Sequence, residues 1–219
     1  MRVFSGRNSV GVRGINLAEG DKVISMAILS HVETSPEERL SYIKRSIAER
    51  RAAGIAAEDT TAQSEEEFTS GDIADVEVAL SDIRYADLSQ REQTLLTVSE
   101  FGYGKRSSSY EFRISKRGGK GIRATDPNKA DEIGNLVAAF PVEEKDQIML
   151  VSDGGQLIRV PVAGIRIAGR ATKGVTIFNT AKNERVVSVE HISECDEGEN
   201  SEAIAVQEYE ANKTPSEKE

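Results

Sequence analysis

Ten residues from Ile114 to Arg123 read I-S-K-R-G-G-K-G-I-R, placing four cations and three glycines in one short stretch. Glycine lets a loop adopt positive φ and brings its amides close to a partner. Lys116, Arg117, Lys120 and Arg123 supply the charge that a polyanion needs. Such a loop can hold phosphates without reading bases. A glycine-rich hairpin with ordinary solvated cations accounts for the same ten residues equally simply.

Repetition separates the two readings. Shifted by 53 positions, Leu95–Gly121 lies over Ile148–Gly174 without a gap, with nine of 27 positions identical. Arg106 falls on Arg159, Arg113 on Arg166, Arg117 on Arg170 and Lys120 on Lys173, alongside Val98/Val151, Ser99/Ser152, Gly102/Gly155, Ile114/Ile167 and Gly121/Gly174. Stacked repeats must recur in their apolar residues to build a core. Recurring cations point instead to a role shared by the units. A third copy opens the chain: Arg7-x-x-x-Gly11-Val12 matches Arg117-x-x-x-Gly121-Ile122, and Val23–Met26 follows Arg7 at the spacing by which Val186–Val189 follows Arg170. Nothing before Met1 matches the first half of the unit, so the chain reads as starting inside a repeat and as part of something larger.

Other chemistries find no support in the residues. His31 and His191 each follow the last strand of a unit and read as surface residues, no nucleophile lies near a base, and the five tyrosines sit in no activating motif. Gly118-Gly119-Lys120-Gly121 lacks the spacing of a phosphate-binding P-loop. A single cysteine, Cys195, permits no internal disulfide, and no cysteine or histidine cluster suggests a metal. The expectation is no catalytic residue, no metal and no cofactor. No apolar run has the length of a membrane span, and the first residues lack a signal-peptide core, so nothing routes the chain out of the cytoplasm.

The elements that must carry the basic residues are short strands. Leu95–Val98 and Ile148–Val151 are apolar runs that lead into glycine turns, a hairpin pattern. Val3–Phe4, Gly11–Ile15 and Val23–Leu29 read as further strands. Alternation over Tyr110–Ile114 sets Tyr110, Phe112 and Ile114 on one face, with Glu111 and Arg113 pointing away from it. Ser35-Pro36-Glu37-Glu38 predicts a capped helix with an apolar stripe of Leu40, Ile43 and Ile47, ending near Gly54. A second helical patch is expected between Asp72 and Tyr85, with Ser89–Glu92 capping a short turn.

Charge divides along the same lines. The net charge is -9, yet residues 30–92 hold 15 acids against 7 bases and residues 193–219 hold 9 against 2. The remaining 129 residues carry 13 acids and 19 bases. Exposed charges more than about 10 Å apart are largely screened at physiological salt, so a basic face can act locally on an acidic protein. The expected organisation is 1–29 as the second half of a truncated repeat unit, 30–92 as an acidic, partly helical insertion with a flexible loop over 55–71, 93–145 and 146–192 as two complete units, and 193–219 as a disordered acidic tail. The insertion reads either as a tolerated, solvated addition or as an acidic competitor for the basic face.

The run G-Y-G-K-R-S-S-S-Y-E-F-R, followed by K-R-G-G-K-G and then I-R-A-T-D, resembles the C-terminal domains of DNA gyrase A subunits, the DNA-wrapping β-pinwheels of type IIA topoisomerases. The resemblance covers residues 2–29 and 86–192. It implies an all-β, propeller-like fold, here of about two and a half blades, with duplex DNA bent around a basic rim. It further implies, as partners in ATP-dependent negative supercoiling, a gyrase B subunit together with the rest of the gyrase A polypeptide. Ser115–Gly121 approximates the family box Q-R-R-G-G-R-G as a late, degenerate copy, and the cleavage tyrosine belongs to a region this chain does not contain. Carried over residue by residue, the expected DNA contacts are Arg7, Arg13, Lys105, Arg106, Arg113, Lys116, Arg117, Lys120, Arg123, Arg159, Arg166, Arg170 and Lys173. Open blade edges would also favour self-association. Two other readings fit: the related topoisomerase IV C-terminal domain, and a protein-interaction propeller whose repeated arginines make blade-edge ion pairs.

Overall fold

The computed structural model describes residues 3–54 and 79–193. The expected acidic loop over 55–71 and the tail beyond Ser193 lie outside the described residues.

Among the described residues, seven strands carry the fold: β1 (Thr94–Ser99), β2 (Tyr103–Ser108), β3 (Leu136–Val142), β4 (Gln147–Ser152), β5 (Leu157–Pro161), β6 (Val175–Thr176) and β7 (Val186–Ile192). They form two antiparallel sheets, ordered β3-β1-β2-β6 and β5-β4-β7. The 53-residue repeat is reproduced in backbone detail. β1 and β4 match end for end, and a 3-10 turn follows each hairpin, at Ser109–Glu111 and Val162–Gly164. Both ladders to the last strand of the unit slip at the same place, between Val98 and Ser99 in one and between Val151 and Ser152 in the other. A bulge shared at this register shows that the spacing encodes strand geometry as well as composition.

β6 breaks the symmetry of the two sheets. It lies in the second unit between β5 and β7, yet it pairs with β2 of the first, Tyr103 opposite Thr176 and Gly104 opposite Val175. Glycine makes this approach possible. A Cβ on Gly174 would stand 2.6 Å from the Gly104 carbonyl oxygen, and one on Gly102 would stand 1.9 Å from that of Phe178. One apolar cluster spans the seam, with Leu96 and Val98 from β1, Ala138 and Val142 from β3, Ile148 and Leu150 from β4, and Val162, Ile165, Phe178, Val186 and Val189. Both sheets therefore share a single core.

Helix α1 (Pro36–Ala52) starts as its sequence requires. The Ser35 side chain accepts from the Glu38 amide, the Glu38 side chain accepts in turn from the Ser35 amide, and Pro36 occupies the first turn. Helix α2 runs over Asp82–Arg91, capped by Ser81, so the helix expected to end at Tyr85 instead continues through Ser89 and Gln90. The part of that expectation over 72–78 lies outside the described residues. A third, short helix, α3 (Ala130–Ile133), lies in the loop before β3. Tyr42, Ile43 and Leu88 pack with Tyr110 in a second small core, and Tyr110 donates 2.9 Å to the Leu88 carbonyl. Arg84 binds both Glu38 and Asp87, tying α2 to the start of α1. The inserted helices thus rest on the 3-10 turn of the first unit.

Two strand expectations are corrected. Residues 3–29 form no strand ladder. Their backbone bridge is an isolated parallel one between Ile15 and Gly119, outside both sheets, and among the described residues no hairpin equivalent to β1–β2 pairs with them. The Tyr110–Ile114 stretch is not an alternating strand: Ser109–Glu111 is a 3-10 turn, and Glu111 turns inward to 6% exposure.

Candidate nucleic-acid interface

The K-R-G-G-K-G segment is held by its glycines. Gly118 and Gly121 both have φ of +79°, a conformation in which a Cβ is strained, and they fold the chain so that Lys116, Arg117, Lys120 and Arg123 project outward. The segment stacks on the corresponding turn of the first copy. The Gly118 amide donates 2.7 Å to the Gly14 carbonyl, and the Asn16 amide donates 2.8 Å to that of Gly119. Arg13 and Arg117 are thereby brought onto neighbouring turns, and among the described residues the Arg13 guanidinium donates to Asn16, at 3.4 Å. Among the described residues, Arg113, Lys116, Arg117, Lys120 and Arg123 have no carboxylate within ion-pair distance, and all five are exposed. Five accessible, unneutralised cations within eleven residues can hold phosphate oxygens. Their glycine-rich backbone lets a bulky partner approach closely.

The remaining expected contacts divide by burial. Arg7 and Arg159 are exposed, the latter on the open edge of β5. Arg166 is half-buried, and its carbonyl accepts from the Arg106 amide. Lys173 is half-buried as well; its ammonium sits 4.4 Å above the Tyr103 ring and 2.7 Å from Glu132. Lys129 on one side and Lys173 on the other draw the Glu132 carboxyl down to about 2.

Lys105, Arg106 and Arg170 do not present their charge to solvent. Lys105 is 1% exposed, and its ammonium donates to the main-chain carbonyls of Arg170 and Thr172. Arg106 is 5% exposed, with its guanidinium on the Ile165 and Ala163 carbonyls and on Glu144. Arg170 is 3% exposed; its amide donates to the Glu111 carboxylate and its guanidinium to the Arg123 carbonyl. The physical reason is the lent strand. The segment leading into β6 passes over β2 with its carbonyls inward, and buried carbonyls need donors. Burial pulls the Lys105 ammonium down to about 7 and pushes the Glu111 carboxyl up. Arg117 and Arg170, equivalent in sequence, are therefore not neighbours on one exposed track.

Glu111 and Glu132 carry no signal that sequence reasoning could have used. Neither recurs in the repeat, since Gly164 stands at the position of Glu111.

Two antiparallel sheets built on one repeat, with a strand lent from one unit to the next around a shared core, define blades of a propeller-type array. The chain belongs to the DNA gyrase C-terminal domain family, whose profile, described as a beta-propeller, matches residues 3–30, 93–143 and 146–193. It is 46% identical over 210 residues to the DNA gyrase A subunit of Granulibacter bethesdensis, a match covering 94% of this chain and 22% of that protein. It is 40% identical over 194 residues to the DNA gyrase A subunit of Rickettsia bellii, covering 89% and 20%. The chain thus spans about a fifth of the length of the curated relatives it matches. Among solved structures it is similar to a DNA gyrase A C-terminal domain, at 30% identity and a TM-score of 0.43 over 47% of this chain and 34% of that one. Among the described residues, no helix is long and apolar enough to cross a membrane.

Proposed function

We propose that this chain works as the C-terminal part of a gyrase A subunit, holding duplex DNA without sequence preference and bending it in support of ATP-dependent negative supercoiling. The phosphate contacts are Arg113, Lys116, Arg117, Lys120 and Arg123, with Arg7 and Arg13 on the adjoining turn and Arg159 further along the rim. The observation that carries this reading is the exposed, unpaired cation cluster on the glycine turns. Its partners are double-stranded DNA, a gyrase B subunit, and the remainder of the gyrase A polypeptide, in the cytoplasm. Residues 93–145 and 146–192 act as two blades and residues 3–29 as the second half of a third.

The test is binding of a duplex of about 30 base pairs, long enough to be bent, across a salt series. If five phosphates are engaged, log Kobs falls with log salt at a slope of about -4 to -5. Lys116→Glu with Lys120→Glu flattens that slope, whereas a slope near zero in the unmodified chain rejects DNA holding.

Burial of Lys105, Arg106 and Arg170 favours a second reading for those three residues, as inter-blade ties. The open edge of β5 is the surface through which copies would associate at high concentration. Exposed Arg159 and Pro161 blunt it, since a charge and a missing amide both hinder strand pairing.

A further inference from the structure

One hydrogen bond closes the joint between units beneath the inserted helices. The Ser30 amide donates 2.5 Å to the Gln93 side chain across the root of the insertion. At the next joint, where only Glu144 and Lys145 intervene, the Glu143 amide donates 2.7 Å to Asp146, the repeat counterpart of Gln93. The helices themselves rest on the 3-10 turn after β2. Tyr110 of that turn is buried, its ring edge-on to Tyr42 at 5.1 Å between centroids and its hydroxyl on the Leu88 carbonyl. Glu111, the next residue, is buried in the seam, where its carboxylate takes the Arg170 amide. The same turn of the second unit carries Ala163 and Gly164, both exposed. A cation of the insertion also faces Glu111. Arg50, near the end of α1 and 2.8 Å from Glu92, joins Lys105 and Arg170 in favouring the ionised carboxylate against its burial.

We infer that the inserted helices brace the seam between the two sheets, with Tyr110 as the positioning residue. Its ring, held by Tyr42 and Leu88, fixes the 3-10 turn so that Glu111 keeps the Arg170 amide and the segment leading into β6 stays seated. A carboxylate left to itself turns to water, and burial of the neighbouring tyrosine ring offsets the cost of keeping it inside. Tyr110 and Glu111 are adjacent in a three-residue turn, so no hinge separates the side chain that is gripped from the one that grips. The insertion is then more than a solvated addition, and its helices act on the seam and not on the cationic turns.

Amide hydrogen exchange on the 219-residue chain, without DNA, tests the brace together with titration of the Glu111 carboxyl by NMR. Tyr110→Ala speeds exchange of the Ala168 and Arg170 amides about tenfold or more and leaves β4 and β7 at the wild-type rate. In the same variant Glu111 swings to water, and its raised pKa falls back toward the ordinary glutamate value. Tyr110→Phe keeps the ring and therefore keeps both the slow exchange and the raised carboxyl. Free exchange of α1 and α2 in Tyr110→Ala, with the seam amides and Glu111 unchanged, overturns the inference. If Tyr110→Ala unfolds the sheets as well, Arg50→Met decides: loss of that cation raises the pH at which Glu111 titrates and speeds exchange at Arg170, and no change in either overturns the inference. With no duplex present, none of these outcomes depends on the phosphate contacts proposed above.

Discussion

Lys105 and Arg170 lie 65 positions apart in the chain, and the ammonium of the first donates 2.5 Å to the main-chain carbonyl of the second. That bond sits at the seam between the two sheets, where a lysine takes the place of a backbone donor. Burial is unfavourable for an ammonium, so the tie carries a pH signature.

Folding holds Lys105 near 7 while the unfolded chain holds it near the ordinary lysine value of about 10.4. Between those values the unfolded state binds more protons, so stability from this group rises with pH. Below pH 7 both states are protonated and the full cost of burying the charge is present. Glu111, Arg170 and Asp126 are the charged groups facing it, and of the two carboxylates Glu111 is the buried one. Urea unfolding of the wild type and Lys105→Met at pH 7, 8.5 and 9.5 should show the wild type gaining relative to the variant at each step. A constant difference across that range contradicts the burial argument.

Gly174→Ala should damage the seam more than its size suggests. It adds a Cβ at φ +84° and drives it to 2.6 Å from the Gly104 carbonyl oxygen, which is backbone and cannot swing away. A loss of about 2 kcal/mol or more is expected, since positive-φ strain and overpacking act together. Gly155→Ala, at φ +83° with open space around it, should lose only the conformational part. Equal losses at the two positions would mean that the close approach of β6 is unimportant.

Glu132→Gln should tighten DNA binding. It releases Lys173 from its carboxylate at 2.7 Å and leaves the ammonium over Tyr103 free to meet a phosphate. One more neutralised phosphate steepens the log-log salt slope by about 0.9. An unchanged slope would place Lys173 outside the DNA path.

Tyr110→Phe should loosen the inserted helices without unfolding the sheets. The hydroxyl bond to the Leu88 carbonyl is buried, and removing it should cost about 1 kcal/mol while leaving that carbonyl without the hydroxyl donor. Faster amide exchange confined to α1 and α2 is the expected readout. Faster exchange throughout β1 and β4 would show the two cores to be one.

What could be read from sequence was what periodicity encodes. The shift of 53 positions located β1 and β4 and their glycine turns, and the Ser35–Glu38 box located the start of α1, because caps and turns are determined within a few residues. The lending of β6 could not be read. Val175 and Thr176 look like any two-residue strand, and their partner is chosen by a glycine contact 70 positions away. For the same reason Lys105, Arg106 and Arg170 passed for surface cations: recurrence marks a position as constrained without saying whether water or backbone imposes the constraint. Arg113, Lys116, Lys120 and Arg123 are on the outside as expected, since no apolar neighbour draws them in. Glu111 was misplaced because a 3-10 turn rotates it away from the face that strand alternation assigns.

The donation of β6 also bears on how such arrays change over evolution. A gene segment encoding one 53-residue period does not correspond to one finished sheet, because the first sheet is completed by residues encoded in the following period. Duplicating or deleting a whole period leaves every internal joint intact and shifts mismatch to the ends. Recombination breakpoints falling between β5 and β6 would instead orphan a sheet, and natural length variants should avoid them.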